Sequence, residues 1–282
     1  MRIAYENGEP SADLQRLQQT LLAMCAKLLT YCEQRGIAIF LIGGTALGAL
    51  RDGEIIPWDD DIDLALLRPD YERLMLSLAA DSIPGMSLQE WRTEPRYHYP
   101  FAKLRLDGSS AGEVDFAGTG MHEGLFLDIF PYDRLPLDEA ARERQRRRLG
   151  LLNLVILPPV LDPLVGGKPL WRRAARGLGL LLRQSLPLRW FVWLRERVQQ
   201  ASGAALSDEY DSFGMLGISQ WRKKVLRESD LVPPRPAQFG PVSAAIPANC
   251  ERFCELHYGN WRDPPPPEHR RPIHVGKVVL PE

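Results

Sequence analysis

Residues 41–67 read LIGGTALGALRDGEIIPWDDDIDLALL, and Asp59, Asp60, Asp61 and Asp63 set four carboxylates into five consecutive positions. Charges of one sign that close repel strongly unless a cation stands among them. The flanking residues indicate how the fold meets this demand. Ile37 to Ile42 is a continuous apolar run with β-branched residues, the pattern of a buried strand, and Gly43-Gly44 breaks it. Thr45 to Leu50 reads as a short helix, Asp52-Gly53 as a turn, and Asp61 to Leu67 as a second strand. Side chains alternate along a strand, so Asp61 and Asp63 are predicted on one face, with Asp59 behind them. Ile62 and Leu64 are then predicted on the other face, in the core.

The surrounding chain supplies a scaffold for this device. Leu14, Leu17, Leu21, Met24 and Leu28 recur at helical spacing after Pro10-Ser11, and Gly36 closes that helix. Pro69 to Ala80 fits a helix with proline in its first turn. Met86 to Arg92, Phe101 to Leu106 and Gly124 to Phe130 are strand candidates. The last places Asp128 within the apolar run GLFLDIF, where an ionisable group is costly without a partner. Asp128 is either a snorkelling edge residue or, as the aspartate pair upstream favours, a third carboxylate aimed at the same cation as Asp61 and Asp63.

A strand ending in Gly-Gly, a helix N-terminus after it, and Asp-x-Asp on the next strand suit phosphate and metal together. Glycines let backbone approach a phosphate closely, and helix N-terminal N–H groups face the anion. Carboxylate oxygens on one strand face are hard ligands of the kind Mg²⁺ takes, alongside waters and substrate phosphates. An EF-hand loop is excluded, because Leu64 stands where its turn needs glycine. The combination of apolar strand, Gly-Gly-Thr, Asp-Ile-Asp-Leu and a later Leu-Asp-Ile matches the active-site pattern of the nucleotidyltransferase fold.

The match extends further. GGTALGALRDGEIIPWDDDIDLALLRPDYERL resembles the signature of the LicD family, whose relatives include the fukutin-type proteins. FAKLRLD and GLFLDIFPYDRLP resemble further motifs of that family, and IPANCERFCELHYGNWRDPPPPEHR its closing Tyr-Gly followed by prolines. The resemblance is strong over 15–136 and weaker over 240–274. It implies an α+β fold: a nucleotidyltransferase-like mixed β-sheet flanked by helices, with an added helical subdomain. The expected division is a catalytic core at 1–136, a basic helical insertion at 137–206, and a C-terminal segment at 207–282 packing back on the core.

The activity it implies is Mg²⁺-dependent transfer, with Mn²⁺ as an alternative ion. A phosphorylated alcohol such as phosphocholine would pass from a CDP-linked donor to a hydroxyl of a glycan or lipid-linked glycan. Asp61, Asp63 and Asp128 would hold metal and carry the catalysis. Gly43, Gly44 and Thr45 would hold the donor phosphates. Arg51, Lys103 and Arg105 would neutralise the diphosphate, unless they are surface ion pairs. Trp58 either anchors the acidic loop or stacks on a base. Tyr97, His98 and Tyr99 either border the nucleotide or simply pack. Asp59 belongs to the motif with Asp60, and one of the two turns away from the metal to fix the loop. The role of His274 is open. The same metal device would also serve attack on an NTP α-phosphate with release of pyrophosphate, or nucleotide or phosphosugar binding without turnover.

Composition narrows the setting. Net charge is −1, so nothing draws the whole chain to nucleic acid, but residues 142–197 hold thirteen Lys/Arg against three Asp/Glu. Pro158 to Pro169 reads as a linker, and Leu170 to Ser185 and Leu188 to Gln200 as helices. Arg172, Arg176 and Arg183 line one side of the first, while Trp171, Ala174, Leu178 and Leu181 line another. Either these helices pack on the sheet with solvated arginines, or they rest on an anionic membrane surface or hold a phosphorylated acceptor. The interleaving of arginine with tryptophan and leucine argues against nucleic acid. No CxxC knuckle accompanies Cys25, Cys32, Cys250 and Cys254, so buried reduced thiols are expected. The first fifteen residues lack the basic start and apolar run of a secretory signal. The expected setting is cytoplasmic, or peripheral at the inner membrane face.

Overall fold

A computed structural model of the chain describes every residue except 2, 7, 114, 115, 117, 158–169, 202, 213–224 and 282, and leaves out the side chains of 170–172. The expected linker Pro158 to Pro169 therefore lies outside the described residues, as do the side chains of Trp171 and Arg172. A small hairpin, β1 (Tyr5–Glu6) and β2 (Glu9–Pro10), leads into α1 (Ala12–Glu33). The Ser11 hydroxyl caps α1 by accepting the Leu14 N–H at 3.2 Å, and the Leu14/Leu17/Leu21/Met24/Leu28 stripe is buried. A cap of this kind contributes about 1 kcal/mol.

The sheet then builds from β3 (Phe40–Leu41), β4 (Asp63–Leu67), β5 (Met86–Gln89), β6 (Ala102–Leu106) and β7 (Phe126–Pro136). Their spatial order is β3-β4-β7-β6-β5. Only β4 and β7 run parallel, so the sheet is mixed. Helix α2 (Gly43–Arg51) connects β3 towards β4, and α3 (Arg68–Ala80) follows β4 with Pro69 in its first turn. Leu64, Leu66, Leu104, Leu127 and Ile129 fall on the opposite sheet face from Asp63 and Asp128. They share one core with the buried sides of α1 and α3.

Beyond the part of β7 that faces β6, its C-terminal half pairs with β8 (Leu206–Asp211), which pairs in turn with β9 (Leu226–Arg227). Between β7 and β8 lie α4 (Glu139–Ile156), α5 (Leu170–Ser185) and α6 (Leu188–Gln199), the added helical region. The chain returns to the core through α7 (Glu228–Leu231), the hairpin β10 (Arg235–Phe239) and β11 (Val242–Ile246), and α8 (Cys250–Tyr258). All four cysteines are buried and free.

Two expectations are corrected in detail. The strand expected over Asp61 to Leu67 begins at Asp63, because the aspartates before it are held by contacts outside any ladder. The strand expected over Ile37 to Ile42 shortens to Phe40–Leu41, where Ala65 and Leu64 are its partners on β4. The hairpin of β10 and β11 turns at Gly240, with φ +58°.

Candidate active site

Three neighbouring strands carry one polar row. Asp63 on β4 is in register with Asp128 on β7, and Asp128 is opposite Lys103 on β6. Directly paired residues project to the same face, so the row stands on one side of the sheet. Lys103 is buried, its Nζ 2.7 Å from Asp128 Oδ1 and 3.1 Å from Glu113 Oε1, and 3.3 Å from the centre of the Phe126 ring. Burial raises the Asp128 pKa, and Lys103 opposes that rise without cancelling it.

Asp61 precedes β4 yet joins the same group of charges. Burial pushes its carboxyl up to about 6; the His274 side chain opposes the shift, and Asp128 adds to it. Burial, then Asp61, Asp128 and Asp59, hold Asp63 well above the usual carboxylate range. Asp59 is raised in the same way by burial and by Asp61, and its carboxyl hydrogen-bonds that of Asp61. Two carboxyls share such a bond only if one keeps a proton, and a bound cation removes that requirement.

The helix after the glycines explains why they are glycines. A Cβ on Gly43 would stand 2.4 Å from Asp63 Oδ2, and φ there is +60°; a Cβ on Gly44 would stand 2.9 Å from Asp59 Oδ2. The carboxylates of β4 and of the loop before it therefore lie against the first turn of α2, whose positive dipole end favours them. The Thr45 hydroxyl accepts the Asp63 N–H at 2.9 Å and fixes the helix to the strand. From α1, the Gln18 amide donates to the carbonyls of Ile56, Pro57 and Asp59, anchoring the acidic loop from behind.

Of the aspartate run, Asp60 is the one whose carboxylate is taken up by backbone N–H groups. It is buried, and its carboxylate accepts the N–H groups of Ile273, His274 and Val275 at 2.9–3.3 Å. That staple carries the C-terminal segment across the site and brings His274 Nδ1 to 3.1 Å from Asp61 Oδ2. Oxygens of Asp59, Asp60 and Asp61 and a ring nitrogen of His274 lie within 4.8 Å of one another, a donor set of metal-binding size. Asp61 belongs both to this set and to the group around Asp63 and Asp128. The crowding of carboxyls and their raised pKa values fit a divalent cation as the missing counter-charge.

Two cations expected to face donor phosphates are placed otherwise. Arg51 is bidentate on Asp52, at 2.9 and 2.7 Å, and reaches the Trp261 carbonyl. Arg105 is fully buried: it donates to Gln89 Oε1 and the Gly124 carbonyl, each at 2.7 Å, and forms an ion pair with Glu113. Residues two apart on a strand share a face, but the next position along β6 sinks Arg105 into the protein, where it positions Glu113 behind Lys103. Trp58 packs edge-on against Tyr5 at 5.6 Å, with the Arg270 guanidinium 5.4 Å from its ring, which is an anchoring role. Tyr97, His98 and Tyr99 form an aromatic cluster with Phe116.

Sequence reasoning missed Glu113 and Gln89, which carry no motif and become visible only as partners of buried cations. It also missed Tyr258. Much of that side chain is exposed, yet its phenol is desolvated beside the cluster, and Asp63, Asp59 and Asp61 further raise its pKa. The Tyr-Gly of the closing motif was the available signal.

Residues 36–134 match the LicD/FKTN/FKRP nucleotidyltransferase domain. The lipopolysaccharide cholinephosphotransferase LicD of Haemophilus influenzae is 31% identical over 127 residues, which are 40% of this chain and 43% of that protein. The human ribitol 5-phosphate transferase FKRP is 38% identical over 65 residues, 23% of this chain and 12% of that protein; the mouse protein of that name is 50% identical over 38 residues, 14% and 8%. The match thus spans less than half the length of each of these relatives.

Proposed function

We propose that this chain, whose residues 36–134 are a LicD/FKTN/FKRP nucleotidyltransferase domain, is a metal-dependent phosphotransferase. It would move a phosphorylated alcohol, of the phosphocholine or ribitol phosphate class, from a CDP-linked donor to a hydroxyl of a cell-surface glycan or its lipid-linked precursor. The single observation that carries the reading is the row Asp63–Asp128–Lys103 across three strands, with Asp61 and its raised pKa beside it.

Asp61 and Asp63, with Asp128 or Asp59 completing the set, would hold the cation, Mg²⁺ or Mn²⁺. When bound, it supplies positive charge to the phosphate oxygens and a fixed point for them. The chain's own groups do the rest. Gly43, Gly44 and Thr45 offer the N–H groups of the α2 N-terminus to the donor phosphates. Lys103 favours the ionised form of Asp128 and orients it, and Glu113 with Arg105 behind it keeps Lys103 in place. The acceptor hydroxyl attacks the phosphorus that bears the alcohol, a new O–P bond forms, and the bond to CMP breaks. The hydroxyl proton passes to a carboxylate of the row, Asp63 or Asp128. Catalysis of this kind is largely positioning and charge neutralisation.

The test is incubation with a panel of CDP-alcohols and Mg²⁺ or Mn²⁺, with and without candidate polysaccharide. CMP release that depends on metal and rises with acceptor is the expected result. Pyrophosphate release from an NTP would assign the site to nucleotidyl transfer, and tight nucleotide binding with no release of either product would make it a binding site.

A further inference from the structure

Helix α5 is turned inside out relative to a water-facing helix, and α6 exposes two tryptophans beside its buried face. On α5, Arg176 is 2% exposed while Leu178 and Leu181 are each 60% exposed. The Arg176 guanidinium donates to the Leu154 and Leu157 carbonyls, and Arg183 reaches the Ile156 carbonyl, so arginines cap the C-terminus of α4. Gly179 lets the two helices approach; a Cβ there would stand 3.0 Å from Val155. On α6, Leu188, Val192, Arg195 and Gln199 face inward, and Trp190 and Trp193 are 60% and 49% exposed. Both helices thus expose large apolar side chains, with Arg173, Arg189 and Arg197 exposed on the same two helices.

We propose that this face lies on an anionic lipid bilayer, with Leu178, Leu181, Trp190 and Trp193 seated at the boundary between headgroups and acyl chains. Charge selects that occupant. The exposed charged side chains described on α5 and α6, Arg173, Arg189 and Arg197, are all basic, in a segment (142–197) whose sequence sums to +10. A second copy docked on the same face would bring two such segments together and repel itself, whereas anionic headgroups attract it. Exposed tryptophan beside arginine is the composition that seats an amphipathic helix in the interface plane. Among the described residues no helix is long and apolar enough to cross a membrane, so the contact is a lying one. The inference uses no residue of the candidate active site and does not depend on the proposed chemistry.

The experiment is co-sedimentation of the full chain with vesicles of phosphatidylcholine, with or without added phosphatidylglycerol. Binding to the anionic vesicles is expected to exceed that to neutral ones by about tenfold or more at low salt and to weaken as salt rises. The double variant Trp190→Glu/Trp193→Glu is expected to lose about tenfold or more of that binding with an unchanged circular dichroism spectrum. Quenching of wild-type tryptophan emission by bromine-labelled acyl chains needs no variant and is expected to be strong. Equal recovery with and without anionic lipid, no quenching, or a self-association that the double variant abolishes in place of vesicle binding would each overturn the proposal.

Discussion

Two parts of this molecule bury charge, and they do so to opposite ends. In the helical region, Arg195 is enclosed by Asn153 and Gln199 at 2.9 and 3.0 Å, and Arg176 by helix carbonyls, so each guanidinium is met by acceptors fixed in the fold. On the sheet, Asp59, Asp61, Asp63 and Asp128 are gathered with Lys103 as their buried cation, and burial raises all four carboxyl pKa values. A buried charge held by neutral acceptors of the fold is scaffold. A group of them left short of counter-charge does nothing for the fold, and its reason must lie in what the protein binds.

The sharpest way to break this contrast is Asp63→Ala. Transfer should fall by roughly a thousandfold or more, since a metal-holding carboxylate is lost. Without divalent metal, the thermal midpoint should hold or rise, because one of four crowded carboxyls has gone. A clear drop in the midpoint would mean that the row is structural. Lys103→Met comes next: activity should fall about a hundredfold as Asp128 loses its ion pair, measured as CMP release at saturating donor.

The helical region should respond in reverse. Arg195→Met leaves Asn153 and Gln199 without their donor and should cost about 3 kcal/mol in urea unfolding, with no change in the affinity of the site for Mn²⁺. Gly43→Ala tests the seam between helix and carboxylate. The positive φ and the approach to Asp63 should together cost about 1–2 kcal/mol and displace the aspartate, so activity should fall with stability.

The smallest effect concerns Glu90, which meets Arg92 near the junction with α6. Burial pushes its carboxyl up to about 7, and Arg92 only partly opposes this. The folded state therefore holds the proton more tightly than the unfolded chain. This group's contribution is full below about pH 4.5 and is lost as pH rises towards 7. With Arg92 partly exposed, the loss should be about 1 kcal/mol, and Glu90→Gln should flatten the stability profile in that window.

Local patterns carried much of this into the sequence. The spacing of Leu14, Leu17 and Leu21, the Gly43-Gly44 break, and Asp128 in an apolar run each follow from period or burial cost alone. Asp63 and Asp128 were legible as a pair because each strand announces itself. What stayed hidden was set by long-range contact. Nothing near Asp60 says that residues 273–275 will meet it, so the aspartate that the backbone takes up could not be chosen beforehand. Arg105 and Lys103 differ only in depth, which depends on Glu113 and Gln89. In α5 the two stripes were visible, but whether leucine or arginine faces outward depends on the carbonyls at the end of α4.

The Asp60 staple has a consequence in time. Its buried carboxylate requires the N–H groups of residues 273–275, and until they arrive it is an uncompensated charge beside Asp59 and Asp61. During synthesis the acidic loop therefore cannot settle when its own strands do. It waits for more than two hundred further residues. The site is closed by residues translated long after the loop itself, and a chain cut short before Ile273 would have the sheet, the glycines and the aspartates, but no finished site.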